Sequence, residues 1–287
     1  VSNDTDQPVQ RSGSILLAAT PIGDTEDASP RLIRALAEAD LVAAEDTRRL
    51  LKLASRLGVR INGDIKSLHE HNERERVDDV LGRALDGERV LIVSDAGMPT
   101  ISDPGYRVVS AAAKRGVPVS ALPGPSAVLT ALSVSGLPTD RFCFEGFMPR
   151  KEGERDRRLE ELKDEPRTMV FFDSPKRIHE SLTHMANVFG GAREAVLCRE
   201  LTKTYEEIIR GDLNHLIYQT RDEVRGEITL VVAGANAADK DAEDYVAKVL
   251  ALHEGGMRLK AAAKLVSDET GLRKNELYRA ALARKPE

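Results

Sequence analysis

The chain has no tryptophan, and five tyrosines and six phenylalanines bring its aromatic share to only 4% of 287 residues. Two cysteines, Cys143 and Cys198, sit in no paired motif, which excludes a disulfide scaffold and points to free thiols in a reducing compartment. No apolar run approaches the roughly 20 residues that span a bilayer. Residues 1–13 are polar and lack the apolar centre of a signal peptide. The expectation is a cytoplasmic protein, without membrane contact, that begins with a disordered tail. There is no G-x-G-x-x-G, so the usual dinucleotide fingerprint and the glycine-rich loop of common methyltransferases are both missing. No G-x-x-x-x-G-K-[ST] occurs, which argues against P-loop NTP hydrolysis, and no G-x-S-x-G elbow is present. His69-Glu-His71 is the one tight pair of histidines, and its i, i+2 spacing suits zinc poorly on a helix, so no metal is expected. Chemistry by a bound cofactor, rather than by a covalent nucleophile, is what these absences leave.

Hydrophobic residues at 41% and charged residues at 31% describe a globular chain long enough for two domains and an appendage. The net charge of −5 is unevenly spread: residues 1–50 carry nine acids and five bases, whereas 257–285 carry eight bases and three acids. A smaller basic cluster, Arg150, Lys151, Arg155, Arg157 and Arg158, is interleaved with acids, a pattern that ordinarily marks a solvated helix face. The C-terminal excess is stronger and suits an anionic partner.

The stretch Val90-Leu-Ile-Val-Ser-Asp-Ala-Gly-Met-Pro-Thr-Ile-Ser-Asp-Pro-Gly105 organises the rest. Four β-formers, Val90–Val93, predict a strand buried on both faces. Ser94 and Asp95 then open a long polar loop in which Gly97, Pro99, Pro104 and Gly105 forbid regular structure. A helix follows from Tyr106. This is the layout of a ligand site at the carboxyl end of a parallel strand.

Strands at 15–19, 41–44, 65–68, 90–93 and 117–121 alternate with helices to give an N-terminal α/β domain over 14–125. Four strand candidates (142–144, 168–172, 195–199 and 227–233) make a second α/β domain over 126–235. Residues 236–244, rich in Ala and Asp, read as a linker. Within 245–287, Leu259, Ala262, Ala263 and Val266 share one helical face, and Leu277, Tyr278, Ala281 and Leu282 another. Glu269-Thr-Gly271-Leu between them predicts a helix-turn-helix hairpin, a basic appendage that contacts nucleic acid or serves only as packing.

Eight segments in order carry a resemblance. In the first half they are Ala18-Ala-Thr-Pro-Ile-Gly-Asp24, Ala44-Glu-Asp-Thr-Arg48, Ser94–Gly105 and Pro123-Gly-Pro-Ser-Ala127. In the second they are Glu145-Gly-Phe-Met-Pro-Arg-Lys151, Phe171-Phe-Asp-Ser-Pro-Lys-Arg177, Arg199–Glu207 and Gly226-Glu-Ile-Thr-Leu-Val232. Together they resemble the ribosomal RNA small subunit methyltransferase I family of the tetrapyrrole-methylase superfamily. The resemblance implies two α/β domains with S-adenosylmethionine in the cleft between them, a homodimer, and no metal. It also implies 2′-O-methylation of a cytidine ribose in the decoding region of 16S rRNA, within the 30S subunit. Porphyrin-directed relatives commonly read Gly-Asp-Pro where this chain has Gly97-Met98-Pro99, which favours the RNA branch. The alternatives are a precorrin-type tetrapyrrole methyltransferase of the same fold and a non-catalytic RNA-binding assembly factor.

Cofactor contacts are then expected from Thr20, Pro21 and Gly23, from Asp95, Gly97, Pro99, Ile101 and Ser102, and from Ser126 and Ala127, where small residues and backbone amides permit close approach. Asp95 would accept from the cofactor's ribose or amine, or cap amides of its own loop. Phe172 and Thr229 would line the second-domain side, or belong to the strand core. Methyl transfer to a hydroxyl needs alignment and is helped by a base or cation. Lys203, with Glu206 or Glu207 nearby, is the first candidate, either depressed by burial as a base, charged beside the alkoxide, or held in a surface ion pair. Asp103 is the second, with capping of the helix at Tyr106 as the competing role. Arg48, Arg150, Lys151, Arg155, Lys176, Arg177, Arg199, Arg273 and Lys274 would hold RNA phosphates.

Overall fold

A computed structural model describes residues 13–235, 242–270 and 272–284. Residues 1–12 of the expected tail, most of the expected linker and Gly271 of the expected turn lie outside these. The chain divides into two compact units. The first takes the chain to Val134 together with Cys198–Ile208 and Gly226–Thr229; the second comprises Ser135–Leu197, Ile209–Arg225 and Leu230 onward.

The first unit is built on five parallel strands, β1 (Ser14–Ala18), β2 (Leu41–Ala44), β3 (Asp64–Ser67), β4 (Arg89–Val93) and β5 (Val119–Leu122), in the order β3-β2-β4-β1-β5. Strand alternation divides the buried side chains of β4 between two cores. Leu91 and Val93 pack with Leu32 and Leu36 of α1 (Pro30–Glu38) and Leu50 of α2 (Thr47–Arg56). Val90 and Ile92 pack with Val80 and Leu81 of α3 (Glu73–Leu85) and Val108 of α4 (Tyr106–Lys114). Burial on both faces explains why β4 reads as an unbroken apolar run. The helices start where the sequence supplies caps: Ser29 accepts from Leu32 N at 3.0 Å ahead of Pro30, and Asp46 accepts from Arg48 N at 2.8 Å. Helix α5 (Ala127–Ser135) follows β5.

The second unit contains α6 (Glu152–Leu162), α7 (Ile178–Phe189) and α8 (Leu213–Gln219). The second sheet, most of whose residues belong to this unit, has the order β6-β7-β10-β8-β9, from β6 (Phe142–Phe147), β7 (Thr168–Asp173), β8 (Glu194–Arg199), β9 (Glu207–Asp212) and β10 (Ile228–Val232). β9 is a fifth strand beyond the four expected. Its apolar content is only Ile208 and Ile209, neither fully buried, because it is an edge strand. No helix among the described residues is long and apolar enough to cross a membrane.

Past a short 3-10 turn at Ala242–Tyr245, helices α9 (Val246–Glu254), α10 (Leu259–Thr270) and α11 (Lys274–Arg284) share one core. The expected face Leu259, Ala262, Ala263 and Val266 is buried, as are Leu277 and Ala281. Tyr278 is partly buried against the same core, and only Leu282 of the expected α11 face is exposed, at 52%.

Candidate active site

Neighbouring strands β2 and β4 send their connections in opposite directions, β2 to β3 and β4 to β5. Open parallel sheets bind ligands outside the carboxyl ends of such strands. Here those ends carry Glu45 and Asp46 after β2, and Ser94 and Asp95 after β4.

The loop after β4 is folded tightly on itself. Thr20 and Gly97 exchange both backbone hydrogen bonds at 3.0 Å, and the Thr20 hydroxyl donates to the Ser94 carbonyl at 3.2 Å. Ser94 in turn donates to the Gly97 carbonyl at 3.1 Å. Thr20 and Gly97, both expected to offer backbone groups to a cofactor, therefore satisfy one another. Thr100 N donates to Pro104 O at 3.3 Å and Ile101 N to Met98 O at 3.4 Å. Thr100 and Ser102 are left-handed at φ 76° and 62° without being glycines. Such residues cost on the order of 1–3 kcal/mol each and persist where surroundings over-determine them, often at functional sites. The amides of Met98 and Ser102 have no hydrogen-bond partner among the described residues. Ile101 is 43% exposed, whereas Pro21 and Pro99 are buried. Ser126 opens α5, its hydroxyl accepting weakly from Leu129 N at 3.4 Å, with Ala127 half-buried beside it.

Three half-buried carboxyls gather at this end of the sheet. Burial, with Glu45 and Asp95 adding like charge, pushes Asp103 up to about 7 against an opposing Ser94 hydroxyl. Burial and the Asp95 charge raise Glu45 as well. Asp95 is raised by burial against the pull of Arg49. The competing role for Asp103, capping the helix at Tyr106, is not what the structure has. Glu73 of α3 does that work: its Oε1 accepts from Gly105 N and Arg107 N, both at 2.9 Å. Asp95 does not cap amides of its own loop. Its Oδ1 accepts from Asp46 N at 3.1 Å, in the β2 loop rather than its own, and its Oδ2 pairs with Arg49 at 3.1 Å.

Lys203 is not a depressed base. Burial lowers it, but hydrogen bonds to Glu200 at 2.7 Å and Glu227 at 2.9 Å outweigh that and leave its pKa raised. A lysine so held is a cation at neutral pH and has no lone pair to offer. Glu206 is exposed and accepts from Thr202 N at 2.7 Å, closing the same loop. That loop lies against Gly23, where an added Cβ would stand 2.5 Å from Lys203 Cγ and 2.6 Å from Thr202 Oγ1. Gly23 is thus required by protein packing, whatever else approaches it. Thr229 is buried in β10, and Phe172 in the second unit meets Phe144 edge-on at 4.9 Å and Phe147 at 5.5 Å.

The sequence itself decides the relationship. Residues 14–217 match the model of the tetrapyrrole (corrin/porphyrin) methylases, and 239–285 match the RsmI C-terminal HTH domain. A ribosomal RNA small subunit methyltransferase I of Mycobacterium tuberculosis (strain CDC 1551 / Oshkosh) is 51% identical over 272 residues, 94% of this chain and 95% of the relative. The Pseudomonas aeruginosa protein of the same name is 44% identical over 278 residues, 95% and 98% of the two chains. The chain belongs to the ribosomal RNA small subunit methyltransferase I family.

Solved structures agree on the fold. The methyltransferase CobJ aligns with TM-score 0.59 at 22% identity, over 78% of this chain and 95% of that one. Uroporphyrin-III C-methyl transferase from Thermus thermophilus, solved with S-adenosyl homocysteine, aligns with TM-score 0.56 at 20% identity, over 77% and 97%. Against that family background the expected phosphate contacts fall into two groups. Arg48, Lys151 and Arg273 have side chains 89%, 81% and 86% exposed, each with only a carboxylate on its own helix or at that helix's cap, and Arg150 and Lys176 are exposed too. Lys274 is half-buried beside Arg273 at the start of α11. Arg177 and Arg199 are largely covered and paired with Asp173 and Glu207. Arg155 is the clear correction: it is 1% exposed, bonded to Glu180 at 2.5 Å and to His184 at 3.1 Å. Its charge faces the protein interior and cannot meet a phosphate. Since a guanidinium only donates, His184 Nε2 accepts from it and Nδ1–H donates to Asp156 at 2.6 Å. That neutral tautomer leaves no lone pair for a metal, although Glu152, Asp156 and His184 lie within 4.8 Å of one another.

Proposed function

We propose that the chain is an S-adenosylmethionine-dependent methyltransferase acting on the 2′-oxygen of a cytidine in the decoding region of 16S rRNA, in the context of the 30S subunit. The kinship to the named rRNA methyltransferases supports the substrate class. The observation that carries the chemistry is the half-buried carboxyl of Asp103, pushed up to about 7 at the carboxyl end of β4.

When bound, S-adenosylmethionine supplies an electrophilic methyl group. The β4 loop suits such a molecule in kind, since the free amides of Met98 and Ser102 can meet its carboxylate and the half-buried acids its cationic groups. The loop stands ready before binding, so little ordering remains to be done. A ribose hydroxyl is a poor nucleophile at neutral pH, and a carboxylate of pKa near 7 is well matched to take its proton as it reacts. Asp103 is assigned that role. Lys203, fixed as a cation, is assigned to hold the loop of Glu200–Glu206 rather than to move protons. Exposed Arg48, Arg150, Lys151, Lys176 and Arg273, with half-buried Lys274, supply the salt-sensitive part of RNA affinity.

The test is incubation of the protein with labelled cofactor and, in parallel, 30S subunits lacking the modification or a precorrin, followed by mapping of any labelled sugar. Label on a precorrin but not on rRNA would move the chain to the small-molecule branch. Cofactor binding with no transfer to any rRNA would make it an assembly factor.

A further inference from the structure

Helix α4 begins without a cap of its own. Gly105, at φ 124°, has no side chain to offer, and the residues before it are committed to the loop. The missing acceptor arrives from elsewhere in the chain. Glu73, the first residue of α3 and 93% buried, gives one carboxylate oxygen to both Gly105 N and Arg107 N at 2.9 Å, and the other lies 3.5 Å from Arg107 Nε.

The segment delivering Glu73 is itself braced. Asn72 Oδ1 accepts from His69 N at 2.8 Å, while Asn72 Nδ2 donates to the Ser67 carbonyl and hydroxyl at 3.2 Å. The His69 carbonyl accepts from Asn72 N at 3.0 Å and Glu73 N at 2.9 Å. The His69-Glu-His71 pair, unsuited to zinc by its spacing, thus belongs to a built turn that ends in an acid. What Glu73 grips is the exit of the β4 loop. Pro104 O is tied back to Thr100 N at 3.3 Å, a Cβ on Gly105 would press Thr100 Cγ2 at 3.2 Å, and Asp103 stands one residue further back. A buried carboxylate on two amides is a strong, directional anchor.

We propose that Glu73 is a positioning residue of the methyl-transfer site, fixing the exit of the β4 loop and through it the place of the Asp103 carboxylate. This rests on Asp103 acting as the proton acceptor. Glu73→Ala removes the anchor, whereas Glu73→Gln keeps an oxygen that accepts from the same two amides. In the full-length protein, with 30S subunits as substrate, Glu73→Ala should lower kcat at least about tenfold with KM for the particle within about threefold, because positioning is expressed at the reacting atoms. Glu73→Gln should recover most of that loss. Within an Asp103→Asn background, Glu73→Ala should cost less than about twofold further, since the two residues act on one step.

Equal losses in the alanine and glutamine variants would assign the effect to the charge facing Arg107 and overturn the inference. So would loss factors that multiply in the double variant. If Glu73→Ala does not fold by circular dichroism, Glu73→Asp, one methylene too short to reach both amides, takes its place in the same comparison. Parent-level methylation by Asp103→Asn alone would remove the base assignment and the route from Glu73 together. Multiplying losses with Asp103 still essential would remove only the role of Glu73.

Discussion

Asp103→Asn isolates the most perturbed group of the site and separates its catalytic from its energetic consequences. Burial and two neighbouring carboxyls raise it from an ordinary 3.8 to about 7. A carboxylic acid whose folded pKa lies above its unfolded one binds a proton more tightly when folded. Its contribution to stability is therefore full below about 3.8 and is lost as pH rises through about 7. The whole span corresponds to about 4 kcal/mol, at about 1.4 kcal/mol per tenfold. The group is only half-buried, and solvent screening cuts this to on the order of 1–2 kcal/mol. Asparagine has nothing to ionise, so the variant should gain on the parent as pH rises from 5 to 8, by a few degrees in Tm for a chain of this size. Methylation moves the other way. The parent rate should climb with pH through about 7, and the variant should be slower by roughly a hundredfold or more, the usual worth of a general base. Thermal denaturation at three pH values and single-turnover methylation across the same range measure both. A Tm difference that stays constant with pH, or a parent rate that is flat between pH 5.5 and 8.5, refutes the reasoning.

Other outcomes follow from the same structure. Gly23→Ala should destabilise by about 1–3 kcal/mol in chemical denaturation, since its Cβ would meet Leu201 O at 2.9 Å as well as the Lys203 and Thr202 side chains. Arg155→Ala should cost about 2–4 kcal/mol through a buried cavity and lost hydrogen bonds, while RNA affinity of the folded fraction stays that of the parent. Lys151→Glu and Arg273→Ala should each weaken binding to 30S subunits and flatten its dependence on salt, with cofactor affinity by calorimetry unchanged; an unaltered salt slope would remove those residues from the RNA surface. Lys203→Met should lower stability above pH 5 by leaving Glu200 and Glu227 without their cation, and should not shift the pH dependence of methylation.

Sequence alone determined the parts whose physics is local or periodic. The buried run Val90–Val93, the Ser29-Pro30 start of α1 and the 3.6-residue spacing of α10 each read correctly because nearest neighbours and one buried face suffice to fix them. The β4 loop also announced itself, through glycines and prolines that no regular element tolerates. β9 did not, since an edge strand buries too little to leave a pattern.

What lay beyond the sequence was which charge meets which. Arg155 and Arg150 stand five residues apart with the same chemistry, yet packing of α6 against α7 buries one and leaves the other in water. Lys203 is held as a cation by Glu227, 24 residues on, and Glu73 caps a helix 32 residues away. Asp103 is raised by burial first and then by Glu45, which parallel pairing of β2 with β4 brings alongside. Burial and Coulomb interactions depend on distances through space, and those exist only once the sheet has chosen its strand order.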